Sequence, residues 1–198
     1  MSKVFVNSGL SLDGGRKGMT SLVIRLFVVV ALLTVASPAS ADWRTSMPAA
    51  QVAGSGDFTW FSLRLYTARL WLASGSWSWD KPFALELIYH RSLSRNTLVQ
   101  ASIDEIQRLA KHPLPSDTVQ LWSAAMAEAF VDVRPGMNIT GLYLPGQGCR
   151  FYVDGQLSRE VTDPAFARAF FAIWLDPEAR DAQLRERLLG VGGRDRGG

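Results

Sequence analysis

Cysteine is almost missing from this sequence of 198 residues: Cys149 stands alone, so no disulfide can close within the chain. Histidine is nearly as scarce. His90 and His112 lie 22 residues apart, in an expected strand and an expected loop, and neither a helical zinc-protease motif nor a Cys/His metal cluster can be built from them. The glycine-rich pieces Gly54-Ser55-Gly56 and Gly146-Gln147-Gly148 lack both the P-loop lysine and the three-glycine dinucleotide pattern, and both read as turns. No Gly-x-Ser-x-Gly nucleophile elbow occurs either. The expectation is a chain with no cofactor, no metal and no recognisable catalytic set. Long hydrophobic runs are absent too: Leu26 to Ala36 is 11 residues, against the roughly 20 a membrane-spanning helix needs.

That short run has a different use. Arg16, Lys17 and Arg25 precede it, and Ala39-Ser40-Ala41 follows with the small residues of a cleavage site, the pattern of a secretory signal peptide. Residues 1–41 are therefore expected to be removed near Ala41, leaving a periplasmic or secreted protein with no transmembrane span. Translation starts at Met1 or at Met19. The formal net charge of +3 belongs to this leader, because four of the 21 basic residues and one of the 18 acidic ones precede residue 42, leaving 17 of each. A near-neutral chain without a basic stripe is not expected to bind nucleic acid. Residues 42–190 have the size of one domain, and the glycine- and charge-rich end, 191–198, reads as a disordered tail. In an exported protein Cys149 is either a buried strand thiol or a group for intermolecular pairing or reaction.

Phe58 to Leu72 alternates over much of its length and reads as a long strand or a bent pair, with Phe61, Leu63 and Leu65 on one face and Ser62, Arg64 and Tyr66 on the other. Phe83 to Tyr89 alternates as the next strand. Thr97 to Gln100 fits a capping box for a helix over 97–110, and Ser116 is expected to cap a second helix striped by Trp122, Met126 and Phe130. Strands follow at 137–144, 149–153 and 156–161, the last two joined by the hairpin signal Asp154-Gly155. Asp163-Pro164 and Asp176-Pro177 each place a capping carboxylate before a proline, so two helices are expected to begin there. Phe166, Phe170, Ile173 and Trp174 share a face of the first. In the second, Leu184 and Leu188 share a face, Asp181 pairs with Arg185 one turn on, and Gly190 is a left-handed stop. Blocks of strands and blocks of helices favour an α+β open-faced sandwich: an antiparallel β-sheet with helices packed on one face.

Three features could carry function. Trp77 and Trp79 alternate in a polar loop, as a sugar-stacking platform or as packing against a sheet edge. His90 is a site residue or an ordinary histidine at a strand end. Arg64 and Tyr66, read as facing the same way, could hold an anionic or phenolic group under the helices, or could belong to a solvated strand face.

The segments Gly54-Ser55-Gly56 through Leu65-Tyr66-Thr67-Ala68-Arg69-Leu70-Trp71, Leu85 to Tyr89, Phe130 to Gly136, Phe151 to Gly155 and, above all, Phe170-Phe171-Ala172-Ile173-Trp174-Leu175-Asp176-Pro177 with Leu184 to Gly190 resemble the chalcone isomerase-like family, in its exported bacterial branch. The resemblance implies a large antiparallel sheet carrying a helical layer, with a ligand cleft between them. It also implies where chemistry would sit. Chalcone isomerases close a flavanone ring with an arginine that stabilises enolate charge and with a threonine and a tyrosine acting through water. The region corresponding to the arginine, Ala53 to Asp57, has none here, and either Tyr66 or Thr67 takes the threonine position. The expected function is non-catalytic binding of a small apolar or amphipathic molecule, such as a fatty acid, at Arg64, Tyr66 and Thr67. The alternatives are an intramolecular lyase on another substrate, or an envelope protein that binds partners through the Trp77 and Trp79 loop.

Overall fold

The computed structural model describes residues 42–191. The expected signal peptide, 1–41, and the tail beyond Val191 lie outside the described residues. Six strands form one sheet in sequence order, every neighbouring pair antiparallel: β1 (Gln51–Trp60), β2 (Leu63–Leu72), β3 (Phe83–Tyr89), β4 (Asn138–Leu144), β5 (Gly148–Val153) and β6 (Gln156–Val161). A short helix, α1 (Trp43–Ser46), precedes them; α2 (Arg95–Leu109) and α3 (Ser116–Ala129) connect β3 to β4, and α4 (Pro164–Leu175) and α5 (Ala182–Leu189) follow β6.

The expected long strand over 58–72 is two strands. The chain reverses at Phe61 (φ 46°) and Ser62 (φ 64°), both left-handed, which matches the two-residue turn whose twist suits a hairpin. Nothing local announces it, because the apolar alternation continues through Phe61 and the usual Asn-Gly is absent. Three bulges interrupt the ladders: Ala53 in β1, Leu65 in β2 and Ser158 in β6 each lack an opposite residue. Gly54 and Gly56, read from sequence as a turn, lie inside β1. A Cβ on Gly54 would come within 2.0 Å of the Arg187 carbonyl oxygen, so glycine there lets α5 ride directly on the strand.

One sheet face, built from residues such as Leu70, Leu85, Leu87 and Phe151, packs against Ile103 and Ile106 of α2, Met126 of α3, Phe166, Phe170 and Phe171 of α4, and Leu184 and Leu188 of α5. This is the α+β open-faced sandwich that the element order predicts. Ser94 caps α2 by accepting from the Thr97 N–H at 3.1 Å, so that helix begins ahead of the expected capping box. Asp163 caps α4 through the Ala165 and Phe166 N–H groups at 2.8 and 3.0 Å, and also accepts from the Trp122 indole at 2.9 Å. Asp176 does not start α5. It ends α4 and closes a turn through the Glu178 N–H, while Asp181 caps α5 through the Leu184 N–H at 2.8 Å. The corner between them is pinned because Ala179 is buried and Arg180 is drawn onto Glu105. The expected Asp181–Arg185 pair is replaced accordingly: Arg185 donates to the Leu175 carbonyl at 3.0 Å. Gly190, at φ 68°, stops α5 as expected.

The opposite sheet face is only partly covered. Trp43 and Met47 from α1 and its C-cap bury Ala84, Leu142 and Tyr152, with Trp71 edge-on to Trp43 at 5.3 Å. On the helix-covered side, Trp77 and Trp79 pack on Phe83, Trp79 also meets Tyr143, and Arg168 lies 4.0 Å above the Trp79 ring. They are packing at the sheet margin rather than an open stacking platform. Cys149 is buried in β5, and that burial pushes its thiol pKa far up, which keeps it protonated and inert.

Candidate ligand-binding cleft

Between the helix-covered sheet face, α2, α4 and the corner before α5 lies a cavity of about 510 Å³. The volume falls within the roughly 300–1,000 Å³ of small-molecule sites. Its walls are largely apolar, with Phe58, Leu87, Leu98, Ile139, Phe170 and Ile173 among them. Two tyrosines place hydroxyl groups in this wall. Tyr66 stacks on Phe58 at 5.0 Å and accepts from the Trp174 indole N–H at 3.0 Å, which leaves its own O–H free to donate. Tyr89 lies edge-on to Tyr66 at 6.0 Å, and its hydroxyl has no hydrogen-bond partner among the described residues. Burial raises both phenol pKa values well beyond the ordinary range, so both are neutral donors at any physiological pH.

The rim is charged. Glu105 is 6% exposed and binds two guanidinium groups: Arg108 on one oxygen at 2.9 and 2.5 Å, and Arg180 on the other at 3.0 and 2.8 Å. Burial alone would raise its pKa, but the hydrogen bonds and charges of the two arginines outweigh that and hold it below the usual glutamate value. Asp104 and Asp181 line the same rim, and Arg180 is the one cation in the lining among the described residues. Trp60 stands beside it, 6.0 Å from the Arg180 guanidinium.

Of the residues singled out from sequence, Tyr66 lines this cavity and Arg64 and Thr67 do not. The cause is the Leu65 bulge. With one extra residue, Leu65 and Tyr66 both reach the cavity, and Arg64 is returned to the face of Thr67, so Arg64 and Tyr66 do not point the same way as the plain alternation predicts. On that other face Arg64 pairs with Asp57 at 3.3 Å, and Asp57 accepts the Thr67 hydroxyl at 2.6 Å. Because an ionised carboxylate only accepts, the Thr67 proton goes to Asp57, and His90 Nε2 at 2.7 Å must be the donor to the Thr67 oxygen. His90 thus joins a network at the strand end. The Thr67 hydrogen bond first, and Arg64 after it, hold the Asp57 pKa below its ordinary value. Of the two candidates for the threonine position of chalcone isomerases, Tyr66 is the one on the cleft side.

Sequence reasoning passed over Tyr89, Glu105 and Arg180. Tyr89 was counted as one apolar position of β3, and only its pairing opposite Tyr66 marks it out. Glu105 is a charged residue between Asp104 and the core residue Ile106, and a charge so placed is a usable signal of a buried partner.

No curated protein sequence matches this chain significantly. Among solved structures, the crystal structure of an Arabidopsis thaliana fatty-acid binding protein is similar, with a TM-score of 0.55 and 11% identity over 71% of this chain and 87% of that one. At that identity the likeness is one of fold. A model of the chalcone isomerase-like family matches residues 51–190, the whole sheet together with α2 to α5. The chain therefore belongs to the chalcone isomerase-like family.

Proposed function

We propose that this protein is a non-catalytic member of its family that binds a small apolar or amphipathic molecule, of the fatty-acid type, in the cleft between sheet and helices. We further propose that it belongs to an exported bacterial branch and acts in the periplasm or outside the cell. The carrying observation is the apolar cavity itself, with two neutral tyrosine hydroxyls inside it. The fatty-acid binding neighbour of the same fold supports the ligand class. The absence of arginine from Ala53 to Asp57 favours binding over ring closure. Burying apolar chain yields about 0.8 kcal/mol per methylene, so a tail of about ten methylenes gains roughly 8 kcal/mol before the cost of ordering it.

The rim narrows the polar end of that ligand. Arg180 already spends two nitrogens on Glu105, while Asp104 and Asp181 add negative charge. A carboxylate gains little there, whereas an ester or a protonated acid can accept from the tyrosine hydroxyls without opposing the carboxylates.

Delipidated protein should show a melting temperature that rises with added palmitic acid or methyl palmitate, and quenching of its tryptophan fluorescence, since Trp60 and Trp174 line the cavity. The ester should match or exceed the acid at about pH 8, where the free acid is largely ionised. If no apolar compound shifts the melting temperature or the fluorescence, the binding reading fails. Export is tested separately by the N-terminal residue of the chain recovered from its native host, expected near residue 42.

A further inference from the structure

The hairpin that lines one side of the cleft ends in an exposed apolar tip. Phe61 is 85% exposed, Trp60 47% and Leu63 50%, and the two rings lock edge-on at 5.2 Å. Phe61 also holds φ 46°, the left-handed conformation that the two-residue turn requires and that a bulky side chain rarely adopts, and the turn directs its ring into solvent. The tip has two further properties. Its apolar surface is continuous with the cavity, because Trp60 and the bulged Leu65 are at once part of the hairpin and part of the cavity wall. Arginines also surround it. Arg64 follows the turn, half exposed and using one nitrogen on Asp57; Arg180 lies against Trp60; and the exposed Arg91 sits at the same end, next to His90, whose N–H bonds the Leu65 carbonyl.

We propose that the tip of the β1–β2 hairpin, Trp60-Phe61-Ser62-Leu63, docks on a lipid bilayer and opens the cleft to it. Phe61 and Leu63 enter the headgroup–acyl boundary and Trp60 sits at its level, as tryptophan does at membrane interfaces. The unpaired guanidinium nitrogens of Arg64 and Arg91 meet lipid phosphates. A ligand then passes between acyl chains and cavity along Trp60 and Leu65 without crossing water. This assignment rests on the apolar-ligand reading of the cleft, but the docking itself is measured without ligand, so the two can fail separately.

Flotation of residues 42–198 with phosphatidylcholine vesicles containing anionic phosphatidylglycerol tests it. Wild type should float with the vesicles, more so at low salt, and Phe61→Ser should reduce the bound fraction at least fivefold with an unchanged melting temperature. Leu121→Ser removes another exposed apolar residue (64%), from α3 rather than the hairpin, and should leave flotation unchanged. The proposal is overturned if wild type does not float, if Phe61→Ser floats like wild type, or if Leu121→Ser weakens flotation equally. Sedimentation showing that Phe61→Ser dissolves a homodimer, with no vesicle binding in either protein, would instead make the tip a contact between copies.

Discussion

Leu65 decides more about the site than any charged residue in it. As an apolar residue it suits either sheet face, so the alternation of 63–72 gave no hint that the count slips by one there, and Arg64 was read onto the face of Tyr66. Tyr66 itself was legible, because it follows the phase of Ala68 and Leu70, which the core fixes. The charged partners obey burial. Asp57 and Glu105 both have depressed pKa values, and a depressed carboxylate stabilises the fold above its unfolded pKa of about 4 and loses that contribution as the pH falls through the folded value. Glu105 is nearly inaccessible and doubly paired, so Glu105→Gln should lower stability at neutral pH by about 1–3 kcal/mol and flatten the loss of stability between about pH 5 and about pH 3. The half-exposed Asp57 should matter less, with Asp57→Asn costing about 0–1 kcal/mol. Urea unfolding at several pH values measures both, and equal effects would contradict the burial argument.

At the level of elements, both Asp-Pro pairs looked alike and only one opens a helix. Asp163 has three acceptor contacts, two to its own helix and one to the Trp122 indole, whereas Asp176 closes a turn with one side-chain bond. Asp163→Ala should therefore cost about 1–2 kcal/mol and Asp176→Ala clearly less, read as shifts in the urea midpoint. A larger loss at Asp176 would mean that the corner, not the cap, orders α4 and α5. The sequence could not rank them because local chemistry is the same at both, and the choice is made by Glu105, more than 70 positions away, which holds Arg180 and sets where α5 can begin. Helices α2 to α4 were legible because each carries an apolar stripe that meets the core, whereas β6, exposed at nearly every position, was legible only from the Asp154-Gly155 turn that leads into it. The β1–β2 turn was hidden because its residues are apolar and exposed.

Across the whole molecule, the sheet has a principal core under the helices and a smaller one on its other side. The second depends on Trp43 and Met47, which precede the segment matched by the family and yet are almost wholly buried. Trp43→Ala should cost about 3–5 kcal/mol, as for other buried large-to-small changes, and a loss below about 1 kcal/mol in urea unfolding would show that the segment before β1 is dispensable. An open sheet also has two free edges, and each is broken in its own strand: Ala53 interrupts β1, and Ser158 interrupts β6, where its hydroxyl bonds the Ala129 carbonyl. Beside Ser158, Arg159 pairs with Glu128 and Glu160 with Arg150. Neither margin offers another chain a regular row of unpaired amides, so the sheet is a poor template for its own extension, and the bulges guard the protein against polymerising strand on strand.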